Sequence, residues 1–89
     1  MLQKEVTIVN KLGLHARAAA KFVTLASRFG AEIRVRRGNR EVNGKSIMGV
    51  MMLAAAKGTQ LSLCAAGEDA EQALESLADL VRQRFGEEE

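Results

Sequence analysis

Residues 5–26 read EVTIVNKLGLHARAAAKFVTLA, and the hydrophobic pattern changes its period half-way along this stretch. Val6 and Ile8 alternate with polar residues, which predicts a strand over residues 3–9. After a loop at residues 10–14, apolar residues recur at the i, i+3, i+4, i+7 spacing of one helix face. These residues are Ala19, Phe22, Val23 and Ala26. We expect Gly30 to end this helix as its C-cap.

The rest of the sequence predicts three more strands and two more helices. Alternation predicts strands at residues 32–36 and 60–64, and Gly38-Asn39 turns the first of them back into a short strand at residues 40–43. Ser46 is expected to cap a short helix that reaches residue 53, and Glu68 or Asp69 to open the last helix. The apolar stripe of that last helix comprises Ala70, Ala73, Leu74, Leu77, Leu80 and Val81. The order β-α-β-β-α-β-α predicts an α+β two-layer sandwich, an antiparallel sheet with helices on one face.

Length and composition limit the classes of protein to which the chain can belong. Its 89 residues, 47% of them hydrophobic and 27% charged, are typical of one soluble globular domain. No apolar run approaches the roughly 20 residues of a membrane helix, and Glu5 lies where a signal peptide would be apolar. One cysteine cannot form an internal disulfide, and one histidine with one cysteine cannot complete a zinc site. We therefore expect a cytoplasmic protein without a metal, and a buried or half-buried Cys64 in its alternating strand.

The net charge of +2 hides an asymmetry along the chain. Residues 1–57 hold eleven Lys and Arg against three acidic residues, whereas residues 58–89 hold two against eight. The basic part could attract an acidic protein surface, or nucleic acid through Arg34, Arg36, Arg37 and Arg40. A basic face balanced by an acidic helix on one small body explains the same asymmetry without any partner.

His15 is the only imidazole, and it stands where the loop ends and the first helix begins. A helix N-terminus attracts anions because its first N–H groups, here those of Ala16, Arg17 and Ala18, are free and carry the positive end of the dipole. The Arg17 guanidinium could also bind phosphate through two hydrogen bonds. This setting suits an imidazole that takes up a phosphoryl group, although a solvated histidine that caps the helix fits it too. No nearby carboxylate, serine or second histidine suggests a catalytic triad.

The short helix after Ser46 is apolar nearly all round. A helix on a one-sided sheet buries a single face, so we expect Val50 and Leu53 in the core. Three of the remaining apolar residues are expected to form an exposed patch of a kind that suits several partners. They are Ile47, Met48 and Met51. Ser46 is explained fully as a helix cap, and a phosphate on it would meet the helix N-terminus without melting the helix.

Residues 38–46, GNREVNGKS, have one residue too many between their glycines for a P-loop, so no nucleotide cofactor is expected.

Three stretches of the sequence together resemble the HPr family. They are VTIV at residues 6–9, GLHARAAAKFV at residues 13–23, and NGKSIMGVMML at residues 43–53 followed by AKG at residues 56–58. HPr is the histidine-containing phosphocarrier of the bacterial phosphoenolpyruvate-dependent sugar phosphotransferase system. The resemblance covers nearly the whole chain. It implies an open-faced β-sandwich whose four-stranded antiparallel sheet has the order 1-4-2-3, with three helices on one face.

The same resemblance implies roles for individual residues. His15 would be phosphorylated on Nδ1 by Enzyme I, which takes the phosphoryl group from phosphoenolpyruvate. It would then pass the group to a IIA domain of a sugar transporter. Arg17 matches the active-site arginine, and Ser46 matches the serine modified by HPr kinase/phosphorylase. Residues matching the partner-docking surface are Ile47, Met48, Met51, Lys21 and Phe22. The resemblance further implies a monomer without a cofactor that does not turn over without its partners.

Ala18 departs from the family pattern, which usually has proline at this position. Alanine leaves His15 and Arg17 intact but adds a backbone N–H that proline lacks. Two alternatives also stay open. One is the nitrogen-branch paralogue, which passes phosphate to a regulatory IIA protein, and the other is a small basic nucleic-acid-binding domain.

Overall fold

A computed structural model describes residues 1–89 as a four-stranded antiparallel sheet with three α-helices. The strands are β1 (Leu2–Thr7), β2 (Glu32–Arg37), β3 (Arg40–Asn43) and β4 (Gln60–Ala66), and they lie in the order β1-β4-β2-β3. The helices are α1 (Ala16–Ala26), α2 (Ile47–Met52) and α3 (Ala70–Arg82), and a 3₁₀ turn follows at Arg84–Gly86. The expected α+β class, element order and sheet order are confirmed.

The hydrophobic core lies between one face of the sheet and the apolar faces of the helices. In β2, Ile33 and Val35 are buried whereas Glu32 and Arg36 are not, because alternate side chains of a strand point to opposite faces. The whole apolar stripe expected for α1 is buried. In α3 the expected stripe is buried except for Leu80, which is partly buried against the core. This packing fixes α1 on the sheet and so fixes the position of its N-terminus.

The C-terminal end of α1 differs from the expectation. The helix ends at Ala26 with Ser27 as its C-cap, so the prediction of Gly30 as the cap was wrong. The Asp69 carboxylate accepts hydrogen bonds from the N–H groups of Gly30 at 2.9 Å and Ala31 at 2.8 Å. These bonds hold the segment after α1 in place for its entry into β2, and they lower the pKa of Asp69 below its usual value.

None of the helices is both long enough and apolar enough to cross a membrane. Cys64 is buried in β4, as its place in an alternating strand predicted.

Candidate functional site

His15 is the N-cap of α1, and its side chain turns back onto the start of the helix. Its backbone is extended, with φ −72° and ψ 178°, and its Nδ1 accepts a hydrogen bond from the N–H of Arg17 at 3.3 Å. The N–H groups of Ala16 and Ala18 have no acceptor within the protein. The Nδ1 atom therefore lies at the positive end of the helix dipole. Ala16 is exposed beside the ring, so its N–H group is free to bind an anion, whereas Ala18 is fully buried and does not line the depression beside His15.

The loop before His15 is fixed by close packing against residues 55–56. Gly13 has φ +68°, and a Cβ there would lie 2.5 Å from the carbonyl oxygen of Ala55, so only glycine fits. The N–H of Leu14 donates to the same Ala55 oxygen at 2.9 Å. From the other side, the buried Asn10 side chain donates to the Gly13 carbonyl at 2.8 Å. These contacts fix the position of His15 relative to the start of α1.

Glu87, from the C-terminal end of the chain, contacts the other ring nitrogen of His15. The distance from Nε2 to Glu87 Oε2 is 2.5 Å, and Asn10 donates to the second carboxylate oxygen at 3.0 Å. The hydrogen bond with His15, followed by that from Asn10, lowers the pKa of Glu87 below its usual value. The expectation that no carboxylate lies near His15 was wrong. Seventy-two residues separate the two partners in sequence, and no local pattern could have paired them.

Arg17 and Lys21 both lie on the exposed face of α1, but their side chains differ in what they contact. The Arg17 guanidinium makes no hydrogen bond or ion pair within the protein. It borders a surface depression of about 750 Å³, whose other lining residues are Lys11, Leu12, His15, Ala16 and the three C-terminal acids Glu87, Glu88 and Glu89. The Lys21 ammonium donates to the carbonyl oxygen of Phe85 at 2.7 Å. Arg17 is therefore free to bind a ligand, whereas Lys21 holds the C-terminal segment.

The α2 helix presents an exposed apolar surface, and Ser46 caps it. The Ser46 hydroxyl oxygen accepts a hydrogen bond from the N–H of Gly49 at 3.1 Å. Val50 and Leu53 are buried, as expected. The exposed apolar residues form what we call the α2 patch: Ile47, Met48, Met51 and Met52. Met52 was not anticipated, and neither was the exposure of Leu12 beside His15.

Phe22 does not belong to any docking surface. Its side chain is only 2% exposed and packs in the core, as the apolar stripe of α1 itself indicated. The prediction of Phe22 as a docking residue was wrong because that stripe faces the hydrophobic core.

Three of the four arginines around the β2–β3 hairpin have partners within the protein. Arg37 donates to the carbonyl oxygen of Leu53 at 2.7 Å, and Arg40 donates to that of Met52 at 2.7 Å. Both guanidinium groups thus satisfy carbonyls at the C-terminal end of α2, where cations are favourable. Arg34 pairs with Glu32 at 2.9 Å. These contacts give the basic hairpin a structural role and weaken the nucleic-acid alternative.

Known proteins share both the sequence and the fold of this chain. A family model described as "PTS HPr component phosphorylation site" matches residues 2–83. The chain belongs to the HPr family. A phosphocarrier protein HPr from Pseudomonas aeruginosa is 57% identical over 84 residues, with 93% of each chain covered. A phosphocarrier protein NPr from Shewanella violacea is 44% identical over 86 residues, which cover 97% of this chain and 94% of that one.

The solved structures agree with the sequence comparison. The crystal structure of HPr-C-His from Thermoanaerobacter tengcongensis matches the whole of both chains, with a TM-score of 0.96 and 47% identity. The protein is thus an HPr-type phosphocarrier of the phosphotransferase system, and its membership of the HPr family implies Enzyme I and IIA partners.

Proposed function

We propose that this chain accepts a phosphoryl group from phospho-Enzyme I on Nδ1 of His15 and passes it to the IIA domains of sugar transporters in the cytoplasm. The observation that carries the proposal is the position of Nδ1 over the N-terminus of α1. A phosphoryl group on this atom could accept the N–H of Arg17 in place of the ring nitrogen. The free N–H group of Ala16 and the unpaired Arg17 guanidinium border the same depression as His15, and the N–H of the buried Ala18 is the third proposed donor.

The proposal is tested by incubating the purified protein with Enzyme I and phosphoenolpyruvate. We expect one acid-labile phosphoryl group per chain, and ¹⁵N NMR should place it on Nδ1 of His15. The Ser46→Ala variant is the matched control, since it removes the other proposed phosphorylation site and should accept phosphate normally. A wild-type protein that remains unphosphorylated, or carries the group on another residue, would refute the proposed function.

Ser46 is proposed as a regulatory phosphorylation site whose negative charge weakens docking of Enzyme I. We expect Ser46→Asp to raise the KM for Enzyme I about tenfold, because it sets a charge beside the α2 patch and opposite an acidic partner surface. The helix should persist, since aspartate caps a helix about as well as serine does. Steady-state phosphotransfer with Enzyme I varied in concentration measures the effect. Ser46→Asn keeps a capping oxygen without the charge, so an equal loss in this control would rule out the electrostatic explanation.

Ala18 is proposed to supply a backbone donor to the phosphorylated ring. The His15 side chain accepts the N–H of Arg17 and not that of Ala18, so the N–H of Ala18 has no partner within the protein. Ala18 is fully buried, so the proposal requires the phosphorylated ring to lie directly over this N–H group. We expect Ala18→Pro to raise the free energy of unfolding by about 0.4–1 kcal/mol, because proline restricts the unfolded chain and no hydrogen bond is lost. The phosphohistidine of this variant should hydrolyse faster than that of the wild type. Equal lifetimes, measured as loss of acid-labile phosphate at one pH, would remove the donor role.

The nitrogen branch is the second candidate, because an NPr protein is among the relatives. We favour the sugar branch, since the HPr relative described above is the more similar, at 57% against 44% identity. Phosphorylated protein mixed with a sugar-transporter IIA domain or with a nitrogen-branch IIA protein should transfer faster to the first. The opposite preference would assign the chain to the nitrogen branch.

A further inference from the structure

We propose that Glu87 is a positioning residue for His15, which holds the ring proton on Nε2 and so leaves the lone pair of Nδ1 free for phosphoryl transfer. This inference rests on the proposed function, because it concerns how the proposed acceptor atom is prepared. Glu87 lies outside residues 2–83, the part of the chain that matches the HPr family model.

The geometry assigns the two ring nitrogens different tasks. Nδ1 accepts the N–H of Arg17 and must therefore be unprotonated in the neutral ring. Nε2 lies 2.5 Å from Glu87 Oε2, and a carboxylate with a lowered pKa can only accept a hydrogen bond there. Both contacts favour the same tautomer. The side chains of His15 and Glu87 are 27% and 16% exposed, so water competes only partly for this hydrogen bond.

Glu87 is held in place by the C-terminal tail, which we define as residues 84–89. Phe85 is fully buried, and its carbonyl oxygen accepts the Lys21 ammonium at 2.7 Å. Arg84 and Phe85 have positive φ values of 57° and 55°, a conformation that residues other than glycine rarely adopt, so packing must hold this turn. Asn10 then donates to Glu87 Oε1 at 3.0 Å. A buried anchor and a side-chain hydrogen bond thus fix the carboxylate at the ring.

This arrangement lets the phosphoryl group arrive and leave without any transfer of a proton. The lone pair of Nδ1 attacks phosphorus, and the bond from phosphorus to the donor breaks with its electron pair remaining on the donor. The ring then carries phosphorus on Nδ1, the proton on Nε2 and one positive charge, which the Glu87 carboxylate faces. In onward transfer the bond between Nδ1 and phosphorus breaks, and its electron pair returns to Nδ1. A carboxylate that orients an imidazole and stabilises its cationic form acts in the same way in a catalytic triad.

Two measurements on Glu87→Ala test this role, with Glu88→Ala as the matched control. Glu88 is an exposed acid of the same tail that lines the depression beside His15, so its replacement removes one negative charge from the site without removing a hydrogen bond to His15. ¹⁵N NMR at a pH where the ring is neutral reports which ring nitrogen carries the proton. We expect a protected Nε2 proton in the wild type and in Glu88→Ala. In Glu87→Ala we expect that proton to exchange rapidly and the Nδ1-protonated tautomer to gain population.

The second measurement is the rate of phosphoryl acceptance from phospho-Enzyme I under single-turnover conditions. Glu87→Ala should be about tenfold slower than the wild type, the scale of one charge-assisted hydrogen bond, and Glu88→Ala should lose much less. Equal rates for the two variants, a faster Glu87→Ala protein, or an unchanged ring-proton signal would each overturn the inference. A faster variant would instead indicate that the acidic tail obstructs transfer. Failure of the proposed function is separate, since it would leave the wild-type protein itself unphosphorylated on His15.

Discussion

Replacement of His15 by alanine is expected to abolish acceptance of a phosphoryl group from Enzyme I. His15 is the only imidazole in the chain, and its Nδ1 is the ring nitrogen that lies over the N-terminus of α1. The variant should still fold, because the side chain is partly exposed and belongs to no buried cluster. Loss of an N-cap costs about 0.5–2 kcal/mol, a fraction of the stability of a typical domain. Acid-labile phosphate and circular dichroism on the same sample measure both effects.

His15→Asn separates the chemistry of the imidazole from its structural role. Asparagine is among the best N-cap residues, so this variant should regain stability while still accepting no phosphate. The two variants should therefore differ in the free energy of unfolding and agree in their lack of activity. Acid-labile phosphate on either of them would place the acceptor elsewhere in the chain and contradict the assignment.

The sequence predicted most of the fold because the local signals and the tertiary contacts agree. The alternation in β2 and the helical spacing in α1 each identify one buried face, and both faces meet in the same core. The end of α1 was missed for a physical reason. The carboxylate of Asp69, 39 residues beyond Gly30, binds the backbone there, and a local pattern carries no information about such a contact.

The candidate site likewise has one part that the sequence could predict and one part that it could not. His15 and its cap geometry could be predicted, since a histidine at a loop–helix junction is a local feature. The contact with Glu87 could not, because it depends on long-range packing: α3 contacts α1, and the buried Phe85 holds the tail near the ring. The assignment of Phe22 shows the reverse error. A resemblance placed it on the docking surface, although its own helical spacing indicated the core.

Arg17→Ala is expected to slow phosphoryl transfer roughly ten- to a hundredfold while leaving stability within about 0.5 kcal/mol. The guanidinium is exposed and unpaired in the unphosphorylated protein, so the fold loses no contact. We propose that its charge-assisted hydrogen bonds form only when a phosphoryl group is on or near Nδ1. Interactions made only in the transition state lower the barrier to transfer. Single-turnover transfer from Enzyme I, together with denaturant unfolding, measures both quantities.

Two further variants show whether the geometry of the guanidinium or only its charge matters. Arg28→Ala removes the same charge from an exposed position just beyond α1, so it should transfer normally if the effect is local. Arg17→Lys keeps the charge but replaces the planar fork with a single ammonium, which cannot hold phosphate through two parallel hydrogen bonds. We therefore expect Arg17→Lys to lie between the wild type and Arg17→Ala. Normal transfer by Arg17→Ala, or an equal loss in Arg28→Ala, would show that Arg17 has no specific role at the phosphoryl group.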